Sequence, residues 1–176
     1  MLKKDNDAEY EGLLNIANLM CVAARTAPKG KGTDLIVTVV LSGEEKDRLA
    51  QKMKLIGENN KNNTFLRDSK CVQKAQVVVL LGTKFSPLGL RLCGFCGYKN
   101  CAELENNKGI CVFNPGDLGI AIGSAVSTAS LHKADNRIMY SAGYTAIELK
   151  LLGKDIKIAY GIPLSSTGKN IFFDRK

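Results

Sequence analysis

The stretch Gln76-Val-Val-Val-Leu-Leu81 decides the fold, because five consecutive apolar residues predict a strand at the centre of a sheet. Two further segments have strand character. Asp34–Leu41 (DLIVTVVL) is almost continuously apolar and suits a strand covered on both faces, and Ile156–Ile162 (IKIAYGI) is shorter. Since helical segments alternate with these strands, the sequence predicts a single α/β or α+β domain over residues 1–176, with a central sheet flanked by helices.

The helical segments are marked by apolar residues at spacings of three and four. Ser42 and Glu45 form a capping-box pattern at the start of the second helix, and Gly57 is a natural stop for it. The predicted helices are Ala8–Ala27, a segment from Ser42 to Gly57, Thr64–Gln73, Leu118–Leu131 and Tyr144–Leu152.

The helix Leu118–Leu131 is apolar or small on all sides, which predicts that it is buried. A turn at Asn114–Asp117 leads into it and places Asp117 at its N-terminus, where a carboxylate is favourable. Gly119, Gly123 and Ser127 recur at intervals of four and form one small-residue face. That face permits close approach of another backbone or of a flat ligand.

Composition places the chain among ordinary globular domains, with 45% hydrophobic and 24% charged residues in 176. The N-terminal residues are polar, and the longest apolar stretch is too short to span a bilayer, so we expect a cytoplasmic protein with no membrane contact. The net charge of +8 comes from Lys and Arg residues spread along the chain. Such a surface is basic without a nucleic-acid signature.

Four of the six cysteines lie between positions 93 and 111, in the pattern C-x2-C-x4-C-x9-C. Cytosolic thiols stay reduced, so this cluster indicates a metal site within residues 91–113 rather than a disulfide framework. The only histidine, His132, excludes paired-histidine zinc sites and is expected to be a solvated residue after a helix. Cys21 and Cys71 stand alone, and we interpret them as structural thiols.

Two kinds of metal centre use four cysteine ligands: an iron–sulfur cluster and a structural zinc ion. An all-cysteine zinc site usually joins two C-x2-C pairs, and here Cys101 and Cys111 stand singly. The spacing therefore favours iron–sulfur, with Cys93, Cys96, Cys101 and Cys111 as ligands. The zinc alternative would be a basic nucleic-acid-binding module, for which 6% aromatic residues and no Trp offer little base stacking.

Glycines and cations surround the cysteines in a way that suits an anionic cluster. Gly94 and Gly97 each follow a cysteine, so the backbone can turn tightly and direct N–H groups toward sulfur. Arg91, Lys99 and Lys108 are close in sequence and would offset the negative charge of the cluster.

The pattern C-G-x-C-G-x-x-x-C at positions 93–101, with a later cysteine, resembles the [4Fe–4S] module of electron-transport and corrinoid iron–sulfur proteins. The gap to Cys111 is shorter than in that module. The whole chain is also similar to an uncharacterised prokaryotic family described as ferredoxin domain-containing. The segments that carry this second resemblance are Ala24–Lys29, the cysteine block, Asp135–Tyr140 and Gly161–Asn170. The two resemblances imply a [4Fe–4S] cluster and name no reaction or redox partner.

A weaker resemblance is to FMN-dependent nitroreductases, which implies a nitroreductase-like fold with the cysteine loop as an insertion. It also implies FMN, with Arg25, Thr26 and Lys29 at the phosphate from one side and Lys169 or Arg175 from the other. A homodimer would fit this resemblance. The chain lacks the usual Arg-x-Ser-x-Arg pattern of that family and has no Gly-rich nucleotide motif. Electrons would then pass from the cluster to a partner protein or to a flavin in the same chain.

Overall fold

The computed structural model describes residues 2–173 and shows an α+β architecture. A four-stranded sheet has the order β1-β2-β4-β3, and every neighbouring pair is antiparallel. The strands are β1 (Ile36–Ser42), β2 (Val77–Lys84), β3 (Asp135–Asn136) and β4 (Ile156–Ser165). The helices are α1 (Asp5–Thr26), α2 (Gly43–Asn59), α3 (Asn63–Lys74), α4 (Cys101–Asn106), α5 (Phe113–Leu131) and α6 (Tyr140–Glu148).

Strand β2 is the central strand that the sequence predicts, with β1 on one side and β4 on the other. Val77, Val79 and Leu81 point into a core with α1 and α5, whereas Val78 and Leu80 point into a core with α2, α3 and α6. All five side chains are fully buried. Alternate residues of a strand face opposite sides of the sheet, so this one apolar run supplies both cores.

Strand β1 is an edge strand, which changes one expectation. Its side chains contact both cores, but Val37–Val40 remain half-buried because no strand pairs with the outer edge. The prediction of a strand fully covered on both faces is therefore wrong for β1 and correct for β2.

Ser42 is the N-cap residue of α2, as the sequence predicts, but the capping bond and the stop at Gly57 are wrong. Ser42 is still paired with Val77 as the last residue of β1, and its side chain makes no capping bond. The helix continues through Gly57 to Asn59 because Gly57 is buried where α3 crosses, and a Cβ there would meet Leu66 at 2.9 Å. The glycine permits close approach of two helices rather than ending one.

Helix α5 starts at Phe113, four residues before the predicted turn ends. Asp117 is therefore inside the helix, where its carboxylate accepts the N–H of Gly30 at 3.0 and 3.1 Å. The predicted burial on all sides is wrong, since Gly119, Gly123 and Ser127 are exposed. A Cβ at either glycine would meet no other atom within 4 Å.

Two glycines provide a test of the packing between α6 and the sheet. In Gly143→Ala the new Cβ would lie 1.9 Å from the carbonyl oxygen of Ala159 in β4, so one element must move. We expect the free energy of unfolding to fall by about 1–3 kcal/mol or more. In the control Gly12→Ala, nothing lies within 4 Å, and the free energy of unfolding should rise by about 0.5–1 kcal/mol. Urea denaturation measures both, and equal stability of the two variants would contradict this packing.

Candidate functional site

The cysteine segment is an insertion between β2 and α5, as the sequence predicts. Residues 85–100 have no regular structure, and the short helix α4 follows them. All four cysteines, Cys93, Cys96, Cys101 and Cys111, line a single cavity of about 900 Å³. The fold thus brings together the four residues that the spacing predicts as ligands.

Different local structures place each thiol. Cys93 and Cys96 lie in the irregular turn, Cys101 is the first residue of α4, and Cys111 comes just before α5. Cys111 is only 8% exposed and forms a small apolar cluster with Leu88 and Leu104. The other three cysteines are half-buried, so the thiols are reachable from the cavity and partly shielded from water.

The turn between the first two cysteines depends on glycine. Gly94 and Gly97 have φ values of +140° and +84°, a region that residues with a Cβ rarely occupy. The Gly97 N–H donates to the carbonyl of Gly94 at 2.9 Å. This amide therefore closes the turn and does not point toward a thiol, contrary to the expectation for Gly97.

The wall of the cavity is tied to the rest of the fold by hydrogen bonds that the sequence did not reveal. The Asn114 side chain is buried, accepts from the Ser86 N–H at 3.0 Å and donates to the Ser86 carbonyl at 3.0 Å. The Lys31 ammonium donates to the Leu88 carbonyl at 3.3 Å. These bonds hold the loop after β2 against α5 and the 3₁₀ turn Gly30–Gly32.

The start of α4 is capped by its own neighbours. The Asn100 side chain accepts from the Glu103 N–H at 2.9 Å, and the Glu103 carboxylate accepts from the Lys99 N–H at 2.7 Å. This reciprocal pair fixes the backbone that carries Cys101.

The four thiols border one cavity. Within residues 2–173, no three His, Cys, Asp or Glu side chains are arranged to hold a metal ion. Four cysteine thiolates are the ligand set of an iron–sulfur cluster and also of a structural zinc ion. The residue types at the cavity therefore fit either group.

Exposed apolar side chains lie next to the cysteines, a feature that the sequence analysis missed. Leu92 is fully exposed with a φ of +53°, and Phe95 is 79% exposed and stacks on Phe113 with a centroid distance of 6.2 Å. Ile110 and Val112, on either side of Cys111, are also exposed. The sequence does mark these four residues, because each of them is next to a cysteine.

Three residues predicted for the FMN phosphate lie together at the end of α1 and are engaged with the protein itself. The Lys29 ammonium donates to the carbonyls of Ala24, Arg25 and Ala27 at 2.7–3.0 Å, which satisfies the C-terminus of α1. The Thr26 hydroxyl donates to carbonyls one turn earlier in α1.

Arg25 is paired with Asp34 at 2.5 Å and also donates to the Ile36 carbonyl at 2.8 Å. Burial acts to raise the pKa of Asp34, but hydrogen bonds from Arg25 and from the Ile36 N–H outweigh it and lower the pKa. The ionised carboxylate is thus favoured in the folded state. Its contribution to stability is present at neutral pH and is lost as the pH falls through the lowered pKa.

The other half of the predicted phosphate site lies elsewhere. Gly30, near Lys29, contacts Asp117 in the first half of α5, whereas Asn170, next to Lys169, lines a groove with Ser130 at the far end. A rise of about 1.5 Å per residue separates these two ends by about 20 Å. Lys169 is exposed, and Arg175 lies outside the described residues. Lys169 therefore lies near the opposite end of α5 from Lys29, and the flavin assignment stays a prediction.

The two remaining cysteines lie away from the cavity. Cys71 is buried in the core between α3 and the sheet, and Cys21 is half-buried on α1. Burial raises the pKa of both thiols. Both positions agree with a structural role.

Comparison with known proteins identifies the family. Residues 107–175 match the model of the family described as uncharacterized proteins containing a ferredoxin domain (DUF2148). An uncharacterized protein of Archaeoglobus fulgidus is 38% identical over 99% of this chain and 98% of its own length. The chain belongs to the DUF2148 family. The match to the DUF2148 model includes Cys111 and begins after the other three cysteines.

Solved structures show that this DUF2148 chain has the nitroreductase fold. Nitroreductase CinD from Lactococcus lactis, in complex with nicotinic acid, aligns with a TM-score of 0.61 and 11% identity over 96% of this chain and 81% of that one. The FMN-dependent nitroreductase NfnB from Mycobacterium smegmatis aligns with a TM-score of 0.58 and 14% identity over 88% and 78%. The predicted nitroreductase-like fold is confirmed.

Among the described residues, no helix is long and apolar enough to cross a membrane.

The Asn114 anchor can be tested by substitution. Asn114→Ala leaves the part-buried N–H and carbonyl of Ser86 without their side-chain partner, so the free energy of unfolding should fall by about 1–3 kcal/mol. The loop should also loosen, and Cys111 should react faster with a thiol reagent in the metal-free protein. The control Asn106→Ala, on the exposed side of α4, should change neither quantity. Unchanged Cys111 reactivity in Asn114→Ala would contradict the anchoring role.

Proposed function

We propose that this protein is an iron–sulfur protein that holds one [4Fe–4S] cluster through Cys93, Cys96, Cys101 and Cys111 and uses it for electron transfer. The observation that carries the proposal is that all four cysteines line one cavity. Membership of a ferredoxin-domain family supports it. When bound, such a cluster accepts and gives up one electron at a time.

The residues around the cavity suit an anionic group. Arg91 and Lys99 line it, and Lys108 lies at an adjoining groove. Leu90, Leu104 and Phe113 provide apolar walls that limit the access of water. Positive charge near the thiolates stabilises them, and restricted solvent access influences the reduction potential of a cluster.

Zinc bound by the same thiolates is the alternative that the donor set leaves open. The single C-x2-C pair, with Cys101 and Cys111 each standing alone, supports the cluster over a single zinc ion. The nucleic-acid-binding function that accompanied the zinc interpretation has less support, because the surface beside the cysteines is mostly aliphatic and carries the carboxylates of Glu103 and Glu105.

FMN in the same chain is a second candidate, supported by the nitroreductase fold. A flavin phosphate at Arg25 would compete with Asp34 for the guanidinium. If Arg25 binds the phosphate, Asp34→Asn should strengthen FMN binding severalfold, measured by quenching of flavin fluorescence. An unchanged affinity, or no binding, would contradict the assignment of Arg25 to the phosphate.

Single substitutions of cysteine test the ligand assignment. Anaerobically purified protein should contain about four iron and four sulfide per chain and should absorb broadly in the visible range. Cys93→Ser, Cys96→Ser, Cys101→Ser and Cys111→Ser should each lose most of the iron. Cys21→Ser and Cys71→Ser are matched controls that should keep it, because both thiols lie away from the cavity.

The same samples separate the alternatives. Zinc without sulfide would contradict the iron–sulfur proposal, and so would full iron content after loss of any cavity cysteine. A yellow chromophore released on denaturation would indicate a flavin.

A further inference from the structure

The surface beside the cysteines carries a group of exposed apolar side chains. Leu92, Phe95, Ile110, Val112 and Ile120 are between 40% and 105% exposed, and we call them the apolar patch. A groove of about 470 Å³ next to Phe95 continues the patch along the N-terminal half of α5. Contiguous exposed apolar surface that is rimmed by polar residues marks an interaction site in many proteins.

Four cations lie on the cysteine segment or on the turn that contacts it. Lys31, Arg91, Lys99 and Lys108 are exposed, and we call them the basic rim. Among the described residues, none of the four has a carboxylate within ion-pairing distance. Glu103 and Glu105 on α4 are the exposed carboxylates next to these cations in the sequence. The four cations outnumber them, so the net charge of these residues is positive.

The acidic residues at the other end of α1 are partly neutralised. Asp5, Asp7, Glu9 and Glu11 lie in the first two turns of α1, and Glu11 forms an ion pair with Lys3. The cations of the basic rim have no such carboxylate partner among the described residues. Their charge would attract an acidic protein toward the cysteine cavity.

An apolar centre inside a charged rim is the usual anatomy of a protein–protein interface. Nucleic-acid interfaces are more polar and far more positive than this surface. Four of the five patch residues are aliphatic and offer no stacking platform, and the α4 carboxylates would repel phosphates. The observations favour a protein partner.

We propose that the apolar patch and the basic rim form the docking surface for an acidic electron-transfer protein. The proposal rests on the proposed function, because the partner exchanges an electron with the group held by the four cysteines. One electron lost by one centre is gained by the other, with no bond made or broken. Four of the five patch residues are next to a cysteine in the sequence, so a docked partner would approach the cavity closely.

Titration calorimetry tests the docking surface with the full chain, purified anaerobically and assayed for iron. The probes are a flavodoxin, which is acidic, and a basic c-type cytochrome. Flavodoxin should bind more tightly than the cytochrome, and its affinity should fall about tenfold or more between about 20 mM and about 0.5 M salt, because the Debye length shortens.

Matched variants locate the surface. Arg91→Glu with Lys99→Glu should weaken flavodoxin binding about tenfold or more, and Phe95→Ala should weaken it to a similar extent without changing the salt dependence. The control variant combines Lys4→Glu, at the start of α1, with Lys70→Glu, on α3. It changes the net charge of the protein by the same amount as the test variant. Its affinity should stay within about twofold of the parent.

Two results of the calorimetry would overturn the docking proposal: equal affinity for flavodoxin and the cytochrome, or an equal loss of flavodoxin affinity in the control variant. Tighter binding of a single-stranded oligonucleotide at the same residues would also overturn it. So would self-association of the chain through the apolar patch, if Phe95→Ala abolishes it. The iron assay separates this proposal from the function. Flavodoxin binding by a sample without iron would support the surface and contradict the cluster. Iron in a sample that does not bind flavodoxin would support the cluster and contradict the docking surface.

Discussion

The structure depends on the burial of strand β2 between two layers of helices. Its consecutive apolar side chains point alternately into the core of α1 and α5 and into the core of α2, α3 and α6. Burial of each Val or Leu side chain stabilises the fold by about 1.5–3 kcal/mol. A polar residue at any of these positions would disturb one core directly, and β4 and β1 depend on β2 for their pairing.

This arrangement leaves the cysteine segment outside both cores. The segment leaves the end of β2, makes its own small cluster around Leu88, Leu104 and Cys111, and returns at the start of α5. Its position is set by a few polar contacts, of which the buried Asn114 side chain on the backbone of Ser86 is the best defined. A site built on an irregular segment can present thiols to a cavity and also leave apolar side chains at the surface.

Much of this organisation follows from local sequence. The central strand is predicted because Val77–Leu81 has no polar interruption, and the metal-site prediction follows from the spacing of the cysteines. The errors arise where a distant element decides. Gly57 does not end α2, because α3 crosses there. Asp117 is not a cap, because α5 already starts at Phe113, and its carboxylate accepts the N–H of the distant Gly30 instead. One face of α5 is exposed because no other element packs against it. The uniformly apolar composition of α5 does not show which face that is.

The candidate site shows the same division. Spacing predicts which cysteines line one cavity, but the hydrogen bonds between Asn114 and Ser86 and the exposure of Phe95 result from tertiary packing. Arg25 and Lys29 match a phosphate-binding pattern by residue type, yet their hydrogen bonds go to Asp34 and to the end of α1. Residue type alone does not distinguish a ligand-binding cation from one that stabilises a helix end.

The central claim is that the cavity lined by the four cysteines holds an iron–sulfur cluster. Anomalous diffraction at the iron absorption edge, from crystals grown without oxygen, tests it most directly. The account predicts a strong iron signal inside the cavity, within bonding distance of the sulfurs of Cys93, Cys96, Cys101 and Cys111. A signal at the zinc edge in its place, or iron located away from these four sulfurs, would contradict it.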